Sequence, residues 1–286
     1  MTTSLGEYVE GWHPEVLTED ELLDSDRALR LADILDAPPP AGELPLTWQW
    51  VYFGDWPRRA DLNADGHPVD GHFQPPIPGR RRMWAGGELE VHAPLRLDQP
   101  VQRVGTLLSA TPKSGRTGDM VLASVQYDYL QGGALCHREV QNHVYRAGSE
   151  ATPARTWPPR PTAPPESDAP WRHDIATDSI QLFRYSALTA NSHRIHYDFP
   201  YVTEVEGYRD LVVHGPLLAQ QLALLAARND PDLTIARLTY RLQQPVFVGD
   251  AVSAVGRLDG ETAELQVISG AGLVHVSASA TYRRRA

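Results

Sequence analysis

Residues 186–198 read Ser-Ala-Leu-Thr-Ala-Asn-Ser-His-Arg-Ile-His-Tyr-Asp. Within eight residues this run places a carboxamide (Asn191), two imidazoles (His193 and His196) and a carboxylate (Asp198). Histidine is the side chain best suited to moving protons near neutral pH. Soon afterwards His214-Gly215 opens an apolar helix. The N–H groups at a helix start can hold a developing oxyanion. Together these groups suit polarisation of a carbonyl and movement of water or a proton beside it.

The neighbouring residues leave open roles. His193 contacts a ligand or caps the loop. Asp198 orients His196 or caps the following turn. Arg194 binds an anionic group or forms a surface ion pair, and His214 reads as a packing and hydrogen-bonding residue. His193, His196 and Asp198 match no strong metal-binding spacing, so neither a metal nor another cofactor is expected.

The chain has 286 residues, a formal net charge of −10 and 42% hydrophobic residues, enough for a packed core. The negative charge argues against nucleic acid or an anionic membrane surface as partner. A local cluster such as Arg80-Arg81-Arg82 can still hold an anionic ligand. The single cysteine, Cys136, builds neither a disulfide framework nor a thiolate metal site. The first residues lack a basic and then apolar leader pattern, and the apolar run at 217–227 is too short to span a bilayer. A cytoplasmic setting is expected.

These groups need a scaffold. Thr18-Glu-Asp-Glu21 has a capping-box pattern, and Leu29, Leu31, Ala32, Ile34 and Leu35 form a helical stripe, so residues 1–36 are expected to be helical. Trp48, Trp50, Val51, Tyr52 and Phe53 should be buried. Residues 54–82 are rich in Gly, Pro, Asp and Arg and predict a long loop, which in a compact domain is functional or mobile. Strands are expected at 88–94, 101–110, 120–129 and 134–145. Residues 150–170 hold a proline-rich linker. A strand at 178–185, a helix at 215–228 and strands near 235–243, 251–258, 263–268 and 273–282 follow.

Pro94-Leu-Arg-Leu-Asp-Gln-Pro-Val-Gln-Arg-Val-Gly-Thr-Leu107 matches Pro245-Val-Phe-Val-Gly-Asp-Ala-Val-Ser-Ala-Val-Gly-Arg-Leu258 at one constant offset. A repeat of that separation implies a duplicated domain. The helix at 215–228 is apolar around most of its circumference, as a helix wrapped by a sheet must be.

The segments Pro75-Pro-Ile-Pro78, Arg81-Arg-Met-Trp-Ala-Gly-Gly87, Lys113-Ser-Gly-Arg-Thr-Gly118, Leu182-Phe-Arg-Tyr-Ser-Ala-Leu-Thr189, His193-Arg-Ile-His-Tyr-Asp198 and Leu211-Val-Val-His-Gly-Pro-Leu217 resemble the double-hotdog, MaoC-like hydratase/dehydratase superfamily. Within it they resemble the type 2 hydroxyacyl-thioester dehydratases and the mesaconyl-CoA and itaconyl-CoA hydratases. The resemblance implies an α+β double hotdog, two antiparallel sheets each wrapping a long central helix. It implies a degenerate first half (1–149, with a helical extension), a linker (150–170) and a second half (171–286) carrying the motif. It implies a cofactor-independent hydro-lyase that hydrates an enoyl thioester or dehydrates a 3-hydroxyacyl thioester.

In that superfamily an aspartate and a histidine five residues later act on a water. Here His196 is the histidine and Asn191 stands where the aspartate is expected, so Asn191 is assigned an orienting role. Gly215 is implied as the oxyanion donor. His193, Arg194, His214, Arg81, Arg82, Trp84 and Lys113 are implied around the substrate. The substrate is an acyl-CoA or acyl-carrier-protein thioester, with a dicarboxylic acyl group such as mesaconyl or itaconyl preferred on the basic residues. An acyl-carrier-protein dehydratase, or a thioester-binding module without chemistry, are the alternative readings. Exposed sheet edges fit a homodimer.

Overall fold

The computed structural model describes residues 4–115, 118–147 and 156–284. Ten strands form one sheet: β1 (Leu17–Leu22), β2 (Arg81–Val91), β3 (Pro100–Gly115), β4 (Gly118–Gln131), β5 (Ala134–Arg146), β6 (Trp171–Ile175), β7 (Leu233–Leu242), β8 (Val252–Asp259), β9 (Thr262–Ser269) and β10 (Leu273–Arg284). Their order is β1-β3-β4-β5-β2-β7-β10-β9-β8-β6. Read inward from its two ends the sheet repeats itself, with β1, β3, β4, β5 and β2 matching β6, β8, β9, β10 and β7. The halves join where β2 pairs antiparallel with β7.

The sequence repeat is the trace of this symmetry. Val101 and Gly105 of β3 pair with Glu21 and Leu17 of β1. Val252 and Gly256 of β8 pair with Ile175 and Trp171 of β6 in the same relative register. Both glycines lie under packed side chains. A Cβ on Gly105 would come 2.6 Å from Phe73, and one on Gly256 2.5 Å from Leu265.

Helix α1 (Leu5–Val9) has a Ser4/Glu7 capping box and packs on β3 and β4. Helix α2 (Ser25–Leu35) starts behind Asp24, whose carboxylate accepts the Arg27 N–H. Thr18 to Glu21 therefore belong to β1 and do not cap a helix; their alternating burial is that of a strand. Helix α3 (Ser179–Leu188) replaces the strand expected at 178–185. Asp178 caps it, and its buried Leu182, Tyr185 and Ser186 follow helical spacing. Helix α4 (Gly215–Asn229) is the long central helix of the second half. It lies on β6 to β10 with Leu217, Leu218, Leu222 and Leu225 buried.

Among the described residues the first half has no equally long helix on its strands. The 3₁₀ turn Trp48–Val51 stands beside α2, which packs mainly on α3. Buried Glu139 of β5 fixes this turn. Its carboxylate accepts from Trp50 Nε1 (2.7 Å), Gln141 Nε2 (2.8 Å), Tyr129 Oη (3.0 Å) and Gln49 Nε2 (3.2 Å). Burial pushes the Glu139 carboxyl up against those four donors. The double hotdog is thus asymmetric, with a polar plug in one half and an apolar helix in the other. The expected linker is described from 156 to 170, where it holds no helix or strand. Its first residues, 150–155, and the boundary at 149 lie outside the described residues. No helix among the described residues is long and apolar enough to cross a membrane.

Candidate active site

The residues after α3 turn back through Asn191 and a 3₁₀ turn, Arg194–His196, toward the start of α4. His196 is buried, and its Nδ1 donates to the Val212 carbonyl at 2.7 Å. A carbonyl only accepts, so Nδ1 carries the proton and Nε2 keeps its lone pair. Burial lowers the His196 pKa to about 4, so the ring is neutral near pH 7. His214 stacks on it with centroids 3.6 Å apart, and His214 Nε2 lies 2.9 Å from Ser186 Oγ. Asn191 Oδ1 accepts the His193 N–H at 3.1 Å, which leaves the NH₂ as the free end of that carboxamide.

His214 occupies the cap position of α4 without a side-chain capping bond, and Pro216 in the first turn carries no N–H. The helix N-terminus thus retains unsatisfied backbone donors with the positive end of its dipole. A Cβ at Gly215 would fall 2.3 Å from Leu242 Cδ1, so any side chain there must move the Leu242 side chain of β7.

A cavity of about 570 Å³ unites these groups. His196, Asn191, Gly215, His193 and His214 line it, and β2 contributes Arg82 and Trp84. Arg82 and Trp84 are two residues apart on a strand and share a face. Both also line a second cavity of about 510 Å³ in the first half, walled by Arg103, Tyr127, His143 and Tyr145. Trp84 packs edge-on against Trp50 at 5.1 Å.

Three other expected ligand-binding residues are not among those lining this cavity. Arg194 pairs with Asp198 at 2.8 Å, donates to the Ala64 carbonyl and covers the Tyr201 ring, so its cation is already engaged. Asp198 also accepts the Tyr201 N–H, which is the turn-capping role. Arg81, one residue from Arg82 and on the opposite strand face, lies 3.6 Å from Glu206. Lys113 is exposed near the end of the β3–β4 hairpin; Arg116 and Thr117 of that motif lie outside the described residues.

The long loop before β2 adds two residues that the sequence reading missed. Asp65 Oδ2 accepts from His67 Nδ1 at 2.9 Å, and its other oxygen accepts the His67 backbone N–H at 2.9 Å. His67 packs at a tilt against His193, with centroids 4.0 Å apart, and lines the same cavity. Burial lowers the pKa of His67, with Asp65 opposing and Arg82 reinforcing it. Burial alone would push the Asp65 carboxyl up, but the bonds and charge of His67 hold it below its ordinary value. Asp65, His67 and His193 bring one donor atom each to within 4.8 Å of one another. Both Asp65 oxygens are already accepting from His67, which makes the pair a hydrogen-bonded dyad. Asp65-Gly66-His67 carried only the composition of a turn.

A family profile described as hydroxyacyl-thioester dehydratase type 2 matches residues 47–248. The chain is 41% identical over 244 residues to the mesaconyl-C(4)-CoA hydratase of Chloroflexus aurantiacus, covering 85% of each. It is 25% identical over 252 residues to the mitochondrial hydroxyacyl-thioester dehydratase type 2 of Schizosaccharomyces pombe, 74% of this chain and 78% of that one. The crystal structure of a MaoC-like dehydratase from Phytophthora capsici superposes with a TM-score of 0.66 at 16% identity, over 98% of this chain and 99% of that one. That likeness carries the fold, and the hotdog expectation holds.

Proposed function

The chain belongs to the hydroxyacyl-thioester dehydratase type 2 family, and on that premise we propose that His196 and the start of α4 act on opposite parts of one enoyl thioester. The protein is a hydro-lyase that hydrates and dehydrates acyl-CoA thioesters. The observation that carries the site assignment is the sharing of one cavity by His196 and Gly215.

Hydration needs a water deprotonated as it attacks the β-carbon, a proton for the α-carbon, and stabilisation of the thioester oxygen as enolate charge develops. His196 Nε2 is a neutral acceptor whose tautomer the Val212 carbonyl fixes. The Gly215 N–H, at the positive end of α4, stabilises the oxygen. Asn191 cannot ionise in the usable range, but its free NH₂ can hold the water or the thioester carbonyl. His193 and His214 hold His196 in place by ring contacts at 5.6 and 3.6 Å.

Arg82 supports a dicarboxylic acyl group. It stands where the two cavities meet, and a guanidinium in a partly desolvated wall suits a carboxylate. The polar side chains of the second cavity favour a short acidic acyl group over an aliphatic tail. Mesaconyl-CoA or itaconyl-CoA is the substrate class we assign; the 41% identity to the Chloroflexus mesaconyl-C(4)-CoA hydratase supports the first. Trp84 forms the wall between the cavities. We assign the halves to residues 1–149 and 171–286, on the matching strand orders. Buried, free Cys136 fits a reducing cytoplasm. The strands at the two ends of the sheet, β1 and β6, each pair on one side only among the described residues, which supports a homodimer.

The test is loss of enoyl-thioester ultraviolet absorbance on adding purified protein to crotonyl-CoA, a long-chain enoyl-CoA and mesaconyl-CoA. Turnover fastest on mesaconyl-CoA is expected. No turnover on any of the three would overturn the lyase assignment for this chain. Faster turnover of the same acyl group on carrier protein than on CoA would overturn the CoA assignment.

A further inference from the structure

We infer that Asp65 and His67 form a second proton-transfer unit of this site: His67 exchanges a proton with the α-carbon of the thioester, and Asp65 positions it. The inference rests on the hydro-lyase reading above and adds a catalytic residue to it.

The reaction moves two protons, one off water at the β-carbon and one onto the α-carbon. His196 has one nitrogen to offer, because Nδ1 is committed to Val212. Asn191 cannot carry a proton. His214 Nε2 is engaged with Ser186, and its Nδ1, though without a partner among the described residues, is sealed from the cavity by burial. His67 has the complementary arrangement. Its Nδ1–H is held by the Asp65 carboxylate, and Nε2 has no partner among the described residues in a ring that lines the cavity. A carboxylate behind an imidazole fixes its tautomer and stabilises the protonated form.

The loop is seated for this purpose. Arg194 N donates to the Asp65 carbonyl at 2.8 Å, Arg194 Nη1 to the Ala64 carbonyl at 3.0 Å, and Ser192 Oγ to the Gly66 carbonyl at 2.5 Å. The segment carrying the second imidazole is thereby clamped to the segment carrying the first. His67 and His196 each lie against the His193 ring, with centroids 4.0 and 5.6 Å from it, and all three imidazoles line the one cavity that would hold the acyl group.

The step balances as follows. His196 Nε2 takes a proton from water while the oxygen bonds to the β-carbon. The alkene π electrons pass to the α-carbon and thioester oxygen. The α-carbon then takes the Nε2 proton of the doubly protonated fraction of His67, a form that burial disfavours and the Asp65 carboxylate favours. His196 releases its proton to solvent and His67 regains one. Dehydration runs the same transfers backward. The charged or titratable groups facing His67 are Asp65, Arg82, Glu206, His193 and His196.

The test compares wild type, His67→Gln, His67→Ala and Asp65→Asn by enoyl-CoA hydration across pH, with melting temperatures as a folding control. His67→Gln should lower kcat by at least about 10²-fold while KM stays within about threefold. Added imidazole should restore at least about tenfold to His67→Ala. Asp65→Asn removes the charge that favours protonated His67, so the fall in kcat at rising pH should move to lower pH. His67→Gln with kcat within about threefold of wild type would overturn the dyad while leaving the lyase reading intact. Loss of wild-type activity on chelation, restored by a divalent metal, would replace the dyad with a metal site. A folded wild type that hydrates no enoyl thioester would instead overturn the lyase reading itself.

Discussion

Gly66→Ala separates loop docking from backbone strain. Gly66 has φ +91°, and a Cβ there would sit 1.9 Å from the Ser192 carbonyl oxygen, where about 3.0 Å is the closest tolerated approach. The two segments must therefore part by about 1 Å. Three hydrogen bonds hold them together, each contributing roughly 1 kcal/mol net. A non-glycine residue at positive φ costs a further 1–2 kcal/mol or so. The total is about 4–5 kcal/mol. Gly42→Ala is the matched control: φ is +78° and nothing lies within 4 Å of the new Cβ. It should lose only the roughly 1–2 kcal/mol of strain and keep wild-type kcat. Displacing His67 by about 1 Å should lower kcat by about 10²-fold in Gly66→Ala. Denaturant unfolding and hydration kinetics on both variants decide the matter. Equal stability losses, with wild-type kcat in Gly66→Ala, would refute the claim that the loop is docked and that docking matters to catalysis.

Arg82→Gln should raise KM for mesaconyl-CoA by about 10–10²-fold and leave crotonyl-CoA within threefold, as for the loss of a charge-assisted bond; equal changes for both substrates would contradict the carboxylate role. Burial lowers the pKa of His196 and His137 to about 4 and of His143 to about 3, below the unfolded value of about 6.5. The unfolded chain then binds more protons between those values, so stability is complete above about pH 6.5 and falls as pH drops toward 4. Each ring contributes about 1.4 kcal/mol per pH unit in that window, and His137→Leu should flatten the slope by about that one increment. A melting temperature that is flat from about pH 7 to pH 5 would contradict this. Glu139→Leu leaves the donors of Trp50, Tyr129, Gln49 and Gln141 facing an apolar side chain and should lose about 3–5 kcal/mol in denaturant titration; a loss under about 1 kcal/mol would show that the turn does not depend on the carboxylate.

Much of the second half was legible because its signals are local. The apolar circumference of 215–229 can only be buried, and the Val-Gly repeat marks strands in equal registers. The short motif around His196 placed Asn191, His193 and His196 on one cavity wall because they are neighbours in sequence. The sequence left Arg194 open between anion binding and an ion pair, because only the fold brings Asp198, Ala64 and Tyr201 around its guanidinium. The segment expected as a strand at 178–185 is a helix: Ile180 and Leu182 suggest a period of two, but the buried Leu182, Tyr185 and Ser186 follow helical spacing and Asp178 caps the helix. Asp65 and His67 were hidden for another reason. They lie more than a hundred residues from His193 in a loop without periodicity, and contacts between backbone carbonyls and a distant turn leave no pattern in composition.

The central claim is that His196 abstracts the proton of the attacking water beside the amide of Gly215. The most direct measurement is the ratio of kcat values for wild type and His196→Gln on an enoyl-CoA that the wild type hydrates. The account predicts a loss of about 10³-fold or more at nearly unchanged KM and melting temperature. Equal kcat values for two folded proteins would contradict it.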